Sequence, residues 1–139
     1  MSKIAVVYWS GTGNTELMAE EIAKASHGKL FTASEFNADL AAEYEAFALG
    51  CPSMGDEVLE DFEFEPMYES IKGLLSGKKV ALFGSYDWGD GEWMRNWQEE
   101  VEGLGAKMVA DGLICHLPPP RMTIFQHAAH WVRSLSVDS

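Results

Sequence analysis

Basic residues are scarce in this chain. It carries 10 Lys and Arg against 22 Asp and Glu over 139 residues, a formal net charge of −12. Binding nucleic acid requires basic patches against the phosphates, so that class of partner is excluded. Cysteine is scarcer still: only Cys51 and Cys115 are present. They form no CxxC pair and have no metal-ligand spacing, so each reads as a buried thiol rather than a redox dithiol or a zinc ligand. No apolar run approaches the ~20 residues needed to cross a bilayer. Met1-Ser2-Lys3 leads directly into the strand-like Ile4-Ala5-Val6-Val7-Tyr8, without a signal-peptide cleavage region. The expectation is a cytoplasmic protein, away from membranes, folded as a single domain over residues 1–139 without disulfides or a structural metal.

Hydrophobic residues make up 47% of the chain and charged residues 23%, an ordinary soluble composition. The acidic surplus suits encounter with positively charged partners, because complementary fields steer association. Charge alone fixes neither fold nor chemistry.

Strand and helix signals alternate with short connections, which predicts an α/β doubly wound fold. Lys3–Tyr8 is a short continuous apolar run, as in a strand buried on both faces. A helix is predicted over Asn14–Ser26, with Leu17, Met18, Ile22 and Ala25 on one face and Gly28 ending it. A weaker strand near Lys29–Ala33 is followed by a polar connection through Asp39. Ala46–Cys51 reads as a third strand and Glu65–Leu75 as a helix, with Pro66 acceptable in its first turn. Lys78–Ser85 is a clear buried strand, Glu92–Leu104 a helix ended by Gly105, and Ala106–Cys115 a fifth strand. Right-handed crossovers then favour a three-layer sandwich: a five-stranded parallel sheet of order 2-1-3-4-5 with helices on both faces. The ligand crevice of that topology lies where the first and third strands diverge. Chemistry is therefore expected in the loops after Tyr8, Cys51 and Ser85.

The first loop is Ser10-Gly11-Thr12-Gly13-Asn14-Thr15. Its glycines allow close backbone approach, and its short polar side chains add donors. At a helix N-terminus, unpaired N–H groups and the dipole favour an anion, and phosphate is the natural guest. A P-loop needs GxxxxGK[ST] and a dinucleotide fingerprint needs GxGxxG; neither is present. A capped glycine-rich turn with no ligand is the competing reading of this loop alone. The second loop is Pro52-Ser53-Met54-Gly55-Asp56-Glu57, and the third is Ser85-Tyr86-Asp87-Trp88-Gly89-Asp90-Gly91. A Trp on a glycine-rich loop is poorly explained by core packing, and its flat face suits a flat aromatic ligand. Met54 could cover the opposite face, since a thioether packs well on rings. Taken singly, each is equally an ordinary packing contact; together, facing a phosphate cradle, they suggest a ring held between Met and Trp.

VYWSGTGNT at 7–15, GCPSMGDE at 50–57 and LFGSYDWGDGEWM at 82–94 closely resemble the short-chain flavodoxins of anaerobic, clostridial-type bacteria. The resemblance runs from residue 3 to about residue 115. It implies one non-covalently bound FMN and low-potential one-electron transfer between redox enzymes, the flavin shuttling between semiquinone and hydroquinone. No substrate turnover of the protein's own is implied, and the partners are redox proteins with basic docking surfaces, met by a monomer. By position, residues 10–15 would hold the phosphate, with Met54 on the inner and Trp88 on the outer face of the isoalloxazine. The Gly55–Asp56 peptide would face flavin N5, Glu57 would bond N3, and the backbone around Gly89 would approach the pyrimidine edge. Seven carboxylates and no Lys or Arg stand between Asp56 and Glu69. Repulsion from such acids lowers the second potential of an anionic flavin.

Two departures accompany the resemblance. Asp87 stands where the family usually has Gly, which adds a charge beside the expected flavin. The segment 116–139 also diverges. It holds three of the four histidines, Pro118-Pro119-Pro120 and a single acid, Asp138, where the family has an acidic loop and a charged helix. Ile124, Ala128, Val132 and Leu135 keep helical spacing, so an amphipathic helix over Thr123–Leu135 is predicted. A shifted reading frame over Arg121–Ser136 and simple divergence both account for this ending. His127 and His130, with His116 distant, give no complete metal-ligand set. An FMN-dependent quinone or nicotinamide oxidoreductase would need a second pocket, for which the chain has no insertion. A phosphotransfer receiver would need acids after the first and third strands and a Lys after the fifth; Trp9-Ser10, Pro52-Ser53 and His116-Leu117 occupy those places.

Overall fold

The computed structural model describes residues 4–9, 14–51, 62–86, 92–108 and 113–116. Its strands are β1 (Ile4–Tyr8), β2 (Lys29–Thr32), β3 (Ala46–Gly50), β4 (Lys79–Tyr86), β5 (Lys107–Met108) and β6 (Leu113–His116). All pairings are parallel, in the order β2-β1-β3-β4-β5, with β6 also on β4. This is the expected 2-1-3-4-5 sheet with one correction: the fifth strand is divided. Lys107 and Met108 pair with Lys79 and Val80, whereas Leu113–His116 pair with Phe83–Tyr86. Four residues separate the two segments where β4 uses only Ala81 and Leu82, so an unbroken ladder over 106–115 is out of register.

The helices are α1 (Asn14–Ser26), α2 (Ala38–Ala41), α3 (Phe64–Ile71) and α4 (Glu92–Gly103). Strand alternation divides the core between the two faces of the sheet. Ile4, Val6 and Tyr8 meet Met18, Ala19 and Ile22 of α1, together with Ala46 and Ala48. Ala5, Val7, Phe47 and Leu49 face the other way, against α3 and α4. On that second face Trp97 stands edge-on to Phe64 (centroids 5.3 Å apart) and to Tyr68 (6.1 Å), which locks α4 onto α3.

Local chemistry explains where the element ends fall. α1 closes as a Schellman motif: His27 takes φ 57° and the Gly28 N–H donates to the Ala23 carbonyl at 3.1 Å. The left-handed residue is thus His27, one before the glycine expected to end the helix. Gly105, at φ 90°, does close α4 as anticipated. The expected polar connection after β2 holds two short elements instead. Thr32 donates its N–H (2.9 Å) and its hydroxyl (2.8 Å) to Glu35 around a 3-10 turn at Ala33–Glu35. Asn37 then caps α2 by accepting the Leu40 N–H at 3.0 Å. Four residues are too few to show helical periodicity in a sequence. α3 starts one residue earlier than expected and tightens into a 3-10 turn over Lys72–Leu74. The expected helix at 123–135 lies outside the described residues.

Candidate functional site

The three expected ligand loops leave the sheet side by side. Trp9, just past β1, donates its N–H to the Gly50 carbonyl at 3.0 Å, and Cys51, just past β3, donates to the Phe83 carbonyl at 3.1 Å. The exits of β1 and β3 are therefore tied in a row to β4, three residues before that strand ends at Tyr86. The return from the third loop is tied to the same row. Trp93, in the first turn of α4, donates its indole N–H to the Cys51 carbonyl at 3.3 Å. Gly84 permits this closure: a Cβ there would stand 2.2 Å from the Cys51 oxygen and 3.2 Å from Trp93 Cζ2.

Four of the expected site residues fall within the described residues. Asn14 and Thr15 open α1, and Ser85 and Tyr86 end β4. Thr15 is 1% exposed, the one buried polar side chain among the described residues. The remainder of the expected set, 10–13, 52–57 and 87–89, lies outside them. Cys51 is buried at the end of β3.

A feature that sequence reasoning missed lies between the end of β1, the first turn of α1 and the end of β2. A cleft of about 220 Å³ is lined by Tyr8, Trp9, Glu16, Thr32, Ala33, Ser34 and Glu63. The Tyr8 hydroxyl donates to Glu16 at 2.9 Å and the Trp9 indole N–H to Glu63 at 3.3 Å. Burial, the bond to Glu16 and the nearby Glu16, Glu20 and Glu35 charges push the Tyr8 phenol up to about 12. Two carboxylates at its wall make this cleft hostile to a phosphate. The signal available in the sequence was Trp9 itself, a large ring directly after a buried strand.

Away from the loops, Lys72 joins α3 to α4. Its ammonium lies 2.9 Å from Glu69, 3.0 Å from Glu100, and 5.0 Å from the centroid of the Tyr68 ring. The Lys72 pKa is raised, first by the bond to Glu69. Burial pushes Glu100 up, but the bond to Lys72, a contact with the Tyr68 hydroxyl and the Lys72 charge together outweigh it, and the net direction is down. A depressed carboxylate gives stability that is lost as pH falls through its folded pKa, and a raised ammonium gives stability lost as pH rises through its own. The window thus lies between the ordinary values, 4.5 for Glu and 10.5 for Lys. All three side chains are partly solvated, so Lys72→Met is expected to cost only about 0.5–1 kcal/mol at pH 7. Urea denaturation at pH 7 and pH 3 checks this: the two proteins should converge at the acid end, and an equal gap at both pH values would rule the bridge out as its source.

A protein-family profile described as Flavodoxin matches residues 6–131. The chain belongs to the flavodoxin family. It is 52% identical over 119 residues to a flavodoxin of Clostridium beijerinckii, covering 82% of this chain and 86% of that one. It is 43% identical over 120 residues to a flavodoxin of Megasphaera elsdenii, covering 83% and 88%. The solution structure of two-electron reduced Megasphaera elsdenii flavodoxin superposes with a TM-score of 0.82 at 36% identity, covering 94% of this chain and 98% of that one. Flavodoxins are FMN-binding electron carriers, and this chain is one.

Proposed function

We propose that this flavodoxin holds FMN in the crevice above β1, β3 and β4 and passes single electrons at low potential, with no substrate turnover of its own. The observation that supports this reading is the row of loop exits, Trp9 to Gly50 and Cys51 to Phe83, with the N-terminus of α1 opening beside it. The donor set fits FMN. Backbone N–H groups and short hydroxyls at a helix start would match a phosphate dianion, and the acidic cleft on the β2 side would not. Ser10, Gly11, Thr12, Gly13, Asn14 and Thr15 would hold the phosphate. Pro52, Ser53, Met54, Gly55, Asp56 and Glu57 would meet one side of the ring; Ser85, Tyr86, Asp87, Trp88 and Gly89 would meet the other. When bound, FMN supplies the one-electron redox chemistry; the protein's part is to bind, orient and shield the ring.

The carrier is a cytoplasmic monomer in this reading, and its partners are redox proteins with basic faces. Support comes from the net charge of −12 and from relatives that are themselves flavodoxins. Anaerobic reductive titration of the FMN-loaded protein tests the proposal. Two separated one-electron steps, without oxidation of nicotinamide or reduction of quinone, are expected. A single two-electron step with nicotinamide turnover would replace the carrier by a flavin reductase.

Asp87 is expected to lower the second potential by placing an extra negative charge near the ring. Asp87→Gly should raise it by roughly 20–60 mV, since 59 mV is a tenfold change for one electron and partly screened charges repel by about 1 kcal/mol. Redox titration of both proteins decides; an unchanged or lowered second potential in the variant would remove Asp87 from the flavin's surroundings.

A further inference from the structure

Phe62 is 86% exposed, while the other exposed large apolar side chains among the described residues, Leu30 and Leu74, are 38% and 36% exposed. The ordinary use of an apolar residue at this position is local. Glu63 is the N-cap of α3, so Phe62 stands just before the cap, where a hydrophobic staple would fold it onto Met67 one turn along. Met67 is buried at 4% exposure and belongs to the core, yet Phe62 keeps nearly all its surface in water. A staple does not account for it.

Its position is informative. The Trp9 indole N–H reaches the next residue, Glu63, at 3.3 Å, which ties Phe62 to the sheet edge where β1 ends beside β3. The charged residues that follow it, as far as Lys72, carry one sign of charge. Glu63, Glu65 and Glu69 are all exposed, and the first cation along α3, Lys72, is already bonded to Glu69 and Glu100.

We propose that Phe62 is the short-range anchor of a docking face for a basic redox partner, inserting into an apolar recess rimmed by that partner's Lys or Arg. The proposal rests on the electron-carrier reading and names the surface through which the carrier is read. Charge complementarity selects this occupant. A second copy of the chain would bring another net −12 to the same acidic face. A basic partner is attracted by it. The division of labour follows from range: acids steer the approach over a Debye length, and a buried aromatic then holds the complex.

Stopped-flow oxidation of the reduced, FMN-loaded protein by ferric cytochrome c, a basic haem protein, tests the anchor. Hexaammineruthenium(III), a small cation with no apolar surface, serves as the control oxidant. Phe62→Ser should raise the cytochrome concentration for half-maximal rate by about five- to tenfold, the range of an interfacial aromatic hot spot. Its salt dependence and its rate with the ruthenium complex should match the parent, and Phe62→Trp should restore the parent behaviour. An unchanged half-saturation with cytochrome c overturns the anchor. So does a changed ruthenium rate or FMN affinity, which would make Phe62 part of the flavin site. A concentration-dependent dimer of the parent, abolished in Phe62→Ser, gives the face to a second copy instead. Absence of FMN binding in the parent would refute the carrier reading itself, before Phe62 is reached.

Discussion

Gly84→Ala should cost about 3 kcal/mol of stability, at the upper end of ordinary overpacking, and weaken FMN binding at least about tenfold. The added methyl would stand 2.2 Å from the Cys51 carbonyl oxygen. That oxygen has little freedom to withdraw. Cys51 donates its own N–H to Phe83 at 3.1 Å, and its carbonyl accepts the Trp93 indole N–H at 3.3 Å. Relief therefore requires β3 and β4 to separate near their ends, from which the second and third proposed flavin loops leave. A displacement of that kind is felt in the ligand site even when the fold survives. Gly50→Ala is the informative comparison. Its methyl would meet the far edge of the Phe83 ring at 2.1–2.2 Å, a group that can turn although it is fully buried. About 1–2 kcal/mol is expected there, with a smaller loss of FMN affinity. Chemical denaturation of both apoproteins and fluorescence titration with FMN separate the cases. Equal penalties, or an unaltered FMN affinity in Gly84→Ala, would mean that the Cys51 carbonyl is not the fixed point taken here.

What the sequence conveyed depended on how local each feature was. The apolar runs at Ile4–Tyr8 and Ala46–Gly50 are buried on both faces, so their strand character was legible without knowing their neighbours. The helix Asn14–Ser26 was legible because Met18 and Ile22 recur at helical spacing. Features set by pairing were hidden. The break between Met108 and Leu113 depends on the register of β4, which lies more than twenty residues upstream. α2 depends on the Asn37 cap and on the backbone bonds of one turn, Ala41 to Asn37 and Ala42 to Ala38, rather than on any periodicity. At the site, the order of the loops followed from topology, and their motifs marked the family. The clamp from Trp93 to Cys51 and the reach of Trp9 to Glu63 join residues 42 and 54 apart in sequence, beyond any local pattern.

Trp97→Ala is expected to be the most damaging core substitution, costing about 3–5 kcal/mol as large-to-small changes of buried aromatics do. Trp97 is 3% exposed and meets Phe64 and Tyr68 edge-on, so its removal takes the aromatic contact from between α3 and α4 and leaves the Lys72–Glu100 bridge. The polar atoms of this cluster add a sharper expectation. The Trp97 Nε1 and the Tyr68 hydroxyl are buried without a hydrogen bond of good geometry. Burial, then the nearby Glu100, pushes the Tyr68 phenol far above its ordinary value. The hydroxyl has only a poorly aligned contact with Glu100 to lose, so Tyr68→Phe should be neutral within about 1 kcal/mol or stabilising. Trp97→Phe should cost only its missing volume, about 1–2 kcal/mol. A larger cost for Tyr68→Phe would show that the hydroxyl is bonded in solution, with Glu100 the partner at hand. FMN then links the cluster to function. Ligand binding to the folded state adds RT ln(1 + [L]/Kd), about 2.7 kcal/mol at a hundredfold excess over Kd. If the cluster only supports the core, Trp97→Ala will recover the same increment as the parent at equal free FMN. If it also sets the spacing of the loops that lead into α3 and α4, Kd rises and the increment shrinks by about 1.4 kcal/mol for each tenfold. Contacts from Phe64 and Tyr68 to Trp97 join the first turns of α3 to the middle of α4, so the smaller increment is the expected result.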